Sequence, residues 1–159
     1  MEKNFNNLSN SLFSELKDGE NLILSFSGEN SQFVRFNNAS VRQTGIVDDG
    51  DLGLKFISNG RTCRGGYTVS GDLNVDLDRG KAEITRMRAE AQQIPEDPFL
   101  VLPENSGSSH EIKTASGLPF EDAVDALVPA MSGVDFVGIW ANGRMFRGNA
   151  NNLGQKHWF

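Results

Sequence analysis

The chain offers few side chains of the kinds that perform catalysis, with 2 histidines and 1 cysteine among 159 residues. His110-Glu111 matches the start of a zinc-binding helix, in which a second histidine four residues later places both imidazoles on one face. Thr114 occupies that position, and the other histidine, His157, lies far along the chain. The sequence therefore predicts no bound zinc and no catalytic residue in this chain, with His110 in an exposed loop.

Cys63 lies between Arg61 and Arg64, and such flanking cations can lower the pKa of a thiol and make it reactive. No histidine or acid stands at a spacing known to activate a nucleophile, so a small residue packed in a strand is the favoured interpretation. A single cysteine cannot form an intrachain disulfide, and the opening residues lack the pattern of a signal peptide. We expect a cytoplasmic protein, and no apolar run approaches the ~18 residues of a membrane span.

The net charge of the chain indicates which kind of partner is disfavoured. The chain has 15 Lys and Arg against 21 Asp and Glu, a formal net charge of -6. A large phosphate-binding surface needs an excess of cations, so nucleic acid is disfavoured as the principal partner. The length predicts a single domain over residues 1–159.

Arginine, asparagine and glutamine side chains recur in two polar segments that could bind the main chain of a peptide. When the sequence is compared with itself at a shift of 112 residues, 145–155 aligns with 33–43. The same shift aligns the helix predicted for 119–131 with the first predicted helix, which is a weak sign of internal duplication. Arg35 and Arg147 could instead pair with internal carboxylates, and this alternative stays open. The candidate peptide- or partner-binding residues are Arg35, Asn37, Arg42, Gln43, Arg147, Asn149, Gln155 and His157.

Hydrophobic periodicity indicates the elements that position these residues. Apolar residues at helical spacing predict helices over 4–17, 74–93 and 119–131, the last bent or ended at Pro129. Alternation of apolar and polar residues predicts strands over 21–27, 32–37, 40–48, 51–58 and 61–69.

Turn residues complete the predicted fold. Asp49-Gly50, Asn59-Gly60 and Asn142-Gly143 are typical of two-residue hairpins. The expected fold is α+β, an antiparallel five-strand meander packed against two or three helices, plus a C-terminal β-hairpin over 136–147. We further expect a short strand at 99–102 and a mobile loop at 104–109. The apolar ending Trp158-Phe159 predicts a continuation or a partner that covers it.

Several short motifs, in order along nearly the whole chain, resemble the N-terminal half of the TldD/PmbA family. The segments are Ser27-Gly28-Glu29, Phe33-Val34-Arg35-Phe36-Asn37, Val41-Arg42-Gln43-Thr44-Gly45, Ser70-Gly71-Asp72, Pro95-Glu96-Asp97-Pro98, Asp135-Phe136-Val137-Gly138-Ile139 and Leu153-Gly154-Gln155-Lys156-His157-Trp158.

The resemblance implies a family named for modulation of DNA gyrase, which includes metallopeptidases acting on unfolded or small peptides. Its zinc centre, a His-Glu-x-x-x-His helix with a further ligand from the C-terminal half, has no match in this chain. We therefore expect no cofactor here, with zinc only in a C-terminal half, if at all. The implied partners are that half or a homologous subunit, and an unfolded peptide.

Two functions remain in view. The first is the scaffold and substrate-channel domain of a TldD/PmbA-type metallopeptidase, not itself an enzyme. The second is a stand-alone, non-catalytic module whose sheet edge accepts a peptide or a partner strand. A reading frame that continues into a His-Glu-x-x-x-His segment would favour the first.

Overall fold

The structure is a computed structural model, and it describes residues 1–104 and 107–159. Three α-helices and six strands are present in these residues. In chain order, the elements are α1 (Glu2–Phe13), β1 (Glu20–Asn37), β2 (Ser40–Ser58), β3 (Arg61–Thr68), α2 (Leu73–Ala91), β4 (Ser109–His110), α3 (Phe120–Leu127), a 3₁₀ turn (Pro129–Met131), β5 (Gly138–Asn151) and β6 (Lys156–Trp158).

The described strands form one sheet in the order β3-β2-β1-β5-β6-β4. The pairs β2–β3 and β5–β6 are antiparallel, whereas the two-residue β4 pairs with β6 in parallel. The predicted α+β class with a mainly antiparallel sheet is confirmed, and a C-terminal hairpin is present, although it lies later in the chain than the predicted 136–147. Over residues 20–68, three long strands replace the five shorter strands that the sequence predicts.

Contacts divide the chain into two compact units. Unit 1 comprises Met1–Gly28, Gly50–Ile112 and Phe146–Phe159, and unit 2 comprises Glu29–Asp49 and Lys113–Met145. Strands β1, β2 and β5 contribute residues to both units.

Unit 1 holds the larger core. Helix α1 is amphipathic and buries Phe5, Leu8 and Leu12, while α2 buries Ile84 and Met87. These side chains pack with one another and with apolar residues of β1, β2 and β3. The core was expected from the periodicity, and it rests on burial of aliphatic and aromatic surface.

Helix α2 begins at a tight acidic cap. Asp72 accepts hydrogen bonds from the backbone N–H groups of Asn74 and Val75, at 2.9 and 3.3 Å. The buried carboxylate of Asp76 accepts from the backbone and hydroxyl of Ser70 and from the Gly71 N–H. The Asp72 bonds satisfy helix donors that would otherwise lack a partner, and the Asp76 bonds hold the turn that precedes the helix.

Unit 2 has its own small core on one face of the strands. Val34 and Phe36 of β1 are buried against Met131, and partly buried residues of α3 surround them. Phe36 meets Phe136 edge to face at 6.1 Å between ring centroids. Helix α3 ends before Pro129, as predicted, and Pro129 opens the 3₁₀ turn.

The breaks predicted between strands at 38–39 and 59–60 are confirmed, and those predicted at 28–31 and 49–50 are wrong. Asn38-Ala39 and Asn59-Gly60 adopt positive φ between antiparallel strands. By contrast, β2 runs without a break through Asp49-Gly50, and β1 runs through 28–30. Gly50 is needed because a Cβ there would lie 2.8 Å from the ring of Phe26, not because the chain turns.

The hairpin predicted at Asn142-Gly143 is also wrong, because β5 continues through it. A Cβ on Gly143 would collide with the backbone of Asn30 and Ser31, so this glycine permits close strand approach. The C-terminal hairpin lies instead between β5 and β6, where Gly148 faces Trp158.

The remaining predictions concern irregular segments and the last residues. Residues 99–102 form no strand, and Phe99 and Val101 are exposed. The predicted loop over 104–109 lies in part outside the described residues. Of the apolar ending, Trp158 is buried among Phe5, Phe26 and Phe146, whereas Phe159 is 48% exposed.

Candidate functional site

An open groove lies on the face of the unit 2 strands opposite α3. Side chains alternate along a strand, so burial of Val34 and Phe36 on the α3 side turns Arg35 and Asn37 to the other side. The groove has a volume of about 510 Å³. It is lined by Arg35, Phe36, Asn37, Arg42, Val137, Gly138 and Ile139.

A tight turn fixes the two strands that carry the polar lining residues. Asn38 and Ala39 both have positive φ, at 48° and 52°, which suits the twist of a two-residue hairpin. The Ala39 N–H donates to the Phe136 carbonyl at 3.1 Å. This bond ties the turn to the segment that supplies Val137 and Ile139.

The groove carries two arginines that the protein leaves uncompensated. Within the described residues, neither Arg35 nor Arg42 has a carboxylate within ion-pair distance. Both side chains are exposed. In a chain with six excess acids, such unpaired guanidinium groups present five N–H donors each to a ligand.

The opposite wall of the groove is apolar. Val137 is 68% exposed and Ile139 is 62% exposed. Together with the guanidinium groups, they form a surface that can bury aliphatic side chains and donate hydrogen bonds to carbonyl oxygens. The groove is shallow, and the described residues that line it include no carboxylate and no histidine.

The second predicted segment lies in unit 1, not in this groove. Arg147 donates to the carbonyl of Phe146, and Asn149 faces His157 across the β5–β6 pair. Gln155 accepts from Asn151 at 2.6 Å within the connecting turn. Gln43 is exposed on β2 beside Arg42 but does not line the groove.

The structure thus brings together Arg35, Asn37 and Arg42 from the predicted set and places the others elsewhere. The 112-residue shift preserves the order helix then hairpin, since α1 precedes β1–β2 and α3 precedes β5–β6. It does not align the turns, because Asn38 and Ala39 correspond to Ala150 and Asn151, which lie inside β5.

His157 belongs to a different depression, with a volume of about 280 Å³, beside α1. Its Nδ1 lies 2.9 Å from the Ser109 hydroxyl, and the Nε2 of His110 lies 3.2 Å from the Glu2 carboxylate. His110 is exposed, as expected, although it lies in the short strand β4.

The residues present do not fit a zinc centre. Within the described part of the chain, no group of three or more His, Cys, Asp or Glu side chains is close enough to hold a metal ion. Cys63 is 2% exposed in β3, and its burial raises the pKa of the thiol. This agrees with a packed cysteine and not with an activated one.

No direct signal in the sequence predicts the apolar wall of the groove. Val137 and Ile139 read as interior residues of a hydrophobic strand, because an exposed and a buried valine look alike in a single sequence. Their role emerges only from the strand order, which sets β5 beside β1.

Comparison with known proteins agrees with this architecture. The sequence matches no protein-family model and no curated protein. The fold is similar to that of part of several larger proteins of known crystal structure, of which three are described below. Among the described residues, no helix is both long and apolar enough to cross a membrane.

The first of these structures is a candidate modulator of a DNA gyrase from Thermotoga maritima, with a TM-score of 0.66 and 16% identity, over 98% of this chain and 37% of that one. TldE from Thermococcus kodakarensis gives a TM-score of 0.65 and 15% identity, over 98% and 37%. A candidate gyrase modulator from Bacteroides thetaiotaomicron gives 0.61 and 15%, over 99% and 38%. The chain is similar in fold to these proteins and spans less than two fifths of their length, which confirms the predicted resemblance at the level of fold.

Proposed function

We propose that this chain is the scaffold and substrate-channel domain of a TldD/PmbA-type protein, and that the unit 2 groove holds an extended peptide. The fold similarity and the ordered motifs support the family assignment. The groove supports the peptide, and the observation that carries it is Arg35, an exposed cation without a carboxylate partner above an apolar wall.

The chemistry of the groove suits a peptide whose sequence varies. Main-chain carbonyls occur at every residue, so guanidinium and amide donors at Arg35 and Asn37 can bind a chain without reading its side chains. Val137 and Ile139 offer contact to any aliphatic side chain. An unfolded peptide presents both features, whereas a folded protein hides most of its carbonyls.

Cleavage is not a step that these residues perform. The donor set does not fit zinc, so in this proposal the zinc that polarises water in the family belongs to residues outside this chain. The cytoplasmic location, and partnership with a C-terminal half or a homologous subunit, remain predictions.

The test is capture of a dye-labelled, unfolded peptide, measured by fluorescence anisotropy, with three arginine variants. Arg35→Met keeps the aliphatic stem and removes the donors. Arg147→Met does the same in the second predicted segment, and Arg64→Met serves as a control, since Arg64 is exposed on β3 in unit 1.

We expect Arg35→Met to weaken capture by about tenfold, which corresponds to ~1.4 kcal/mol. We expect Arg64→Met and Arg147→Met to change it by less than about twofold. Equal capture by Arg35→Met and the wild type would contradict the groove. Loss with Arg147→Met alone would move the binding surface to the β5–β6 hairpin.

A further inference from the structure

The outer edge of β2 between Ser40 and Asp49 has no strand beside it in the described residues. In the sheet order, β2 lies between β3 and β1, and its pairing with β3 begins only at Asp51, opposite Thr68. Gly50 accepts a hydrogen bond from Val69, so the open stretch ends there. Such an edge presents a row of backbone donors and acceptors that another strand can pair with.

Two of the three charged residues on this open edge lie symmetrically about Gly45, and the third, Asp49, has the uncharged Val41 at the matching position. Arg42 stands three residues before Gly45, and Asp48 stands three residues after it. Both are exposed, as are Thr44 and Ile46 between them, and Ile46 is 74% exposed. With Val41, which is 41% exposed, Ile46 leaves apolar side chains on an unpaired strand edge, and such an edge can pair with another strand.

Two identical strands that pair edge to edge are related by a twofold axis perpendicular to the sheet. That axis keeps each side chain on its own face, and opposite residues in a pair share a face. Opposite residues must therefore be separated by an even number of positions along the sequence. With the axis at Gly45, Arg42 lies opposite Asp48 of the second strand, and these residues are an even number of positions apart. Arg42 cannot lie opposite Asp49, because that separation is odd.

We propose that a second copy of this chain pairs with the open edge of β2, antiparallel and centred on Gly45. The pairing creates two equivalent Arg42–Asp48 ion pairs and sets Ile46 opposite Thr44. Opposite charges directly across two strands stabilise their pairing, and like charges destabilise it. The occupant inferred from this self-complementary pair is a second copy, whose own edge carries the matching Asp48 and Arg42.

This interface does not rest on the proposed function: it shares Arg42 with the groove, but Arg35, whose variant tests the groove, takes no part in it. An edge of ten residues buries a modest area, so the association should be reversible and dependent on concentration. Sedimentation velocity over a range of concentrations measures the dissociation constant of the dimer directly. Circular dichroism of each variant confirms that it is folded.

Charge reversal tests the register. Arg42→Asp sets two like-charged pairs across the interface, and we expect it to raise the dissociation constant by at least about tenfold. Asp48→Arg should act equally. The double variant with Arg42→Asp and Asp48→Arg restores opposite charges and should return the constant to within about threefold of the wild type. Lys3→Asp, an equal charge change at an exposed position of α1, is the control and should leave it unchanged.

Ile46→Lys provides a second test that does not depend on the ion pair. Because Ile46 is largely exposed, this change leaves the fold intact and should weaken the dimer. A wild-type chain that stays monomeric at all concentrations would overturn the proposal. So would a dimer insensitive to Arg42→Asp, or one that the double variant fails to restore.

Discussion

The two units use charged residues in opposite ways. In unit 1, the Glu20 carboxylate is buried and accepts two hydrogen bonds from Arg88, at 2.6 and 2.8 Å. In unit 2, Arg35 and Arg42 are exposed and have no carboxylate partner in the described residues. Removing one partner of a buried ion pair leaves an uncompensated charge and lowers the stability of the fold. An exposed, unpaired charge contributes little to stability and remains available to a ligand.

The largest effect should follow removal of the buried partner. Glu20→Ala leaves the Arg88 guanidinium partly buried without its carboxylate and also removes the acceptor of the Lys17 N–H. We expect a loss of about 2 kcal/mol in the free energy of unfolding, or ~4–8 °C in melting temperature. Thermal unfolding followed by circular dichroism measures it, and a change below about 1 °C would show that the pair does not stabilise unit 1.

A smaller effect should appear on acidification. The hydrogen bonds from Arg88 hold the pKa of Glu20 below its ordinary value of 4.5. A group whose pKa is lowered by folding stabilises the fold above its unfolded pKa and loses that contribution as the pH falls through its folded pKa. The stability difference between the wild type and Glu20→Gln should therefore hold from neutral pH down to about 4.5 and shrink below it. Denaturant unfolding at several pH values checks this, and a difference that grows on acidification would contradict it.

The smallest effect belongs to the groove. Arg35→Met removes an exposed cation without an ion pair, so we expect the free energy of unfolding to change by less than about 0.5 kcal/mol. Arg147→Met should behave similarly, since the Arg147 guanidinium donates to the carbonyl of its own neighbour, Phe146. A loss above ~1 kcal/mol with Arg35→Met would show that this arginine supports the fold and would remove the contrast between the units.

Periodicity predicted the elements of unit 1 well, because its signals are local. Phe5, Leu8 and Leu12 recur at helical spacing, and Asp72 caps the helix that the sequence places after it. The strand breaks were harder. Gly50 and Gly143 look like turn residues in the sequence, yet both are required by neighbours distant along the chain, Phe26 and Ser31.

The candidate site was only half predictable for a related reason. Arg35, Asn37 and Arg42 stand in one hairpin, so proximity in sequence brings them together. The apolar wall at Val137 and Ile139 comes from β5, about a hundred residues later, and reaches the groove because β5 pairs beside β1. Pairing between distant strands follows from the whole fold, and a single sequence carries no local signal for it.

The most direct measurement of the central claim is a titration of the ¹⁵N-labelled chain with an unlabelled, unfolded peptide, followed by amide chemical shifts. We expect the amide shifts to concentrate in 35–42 and 137–139, around the groove, and Arg35→Met to suppress them. Amides of the β5–β6 hairpin, 147–157, should stay unchanged. Shifts confined to that hairpin, or equal shifts with Arg35→Met, would contradict the account.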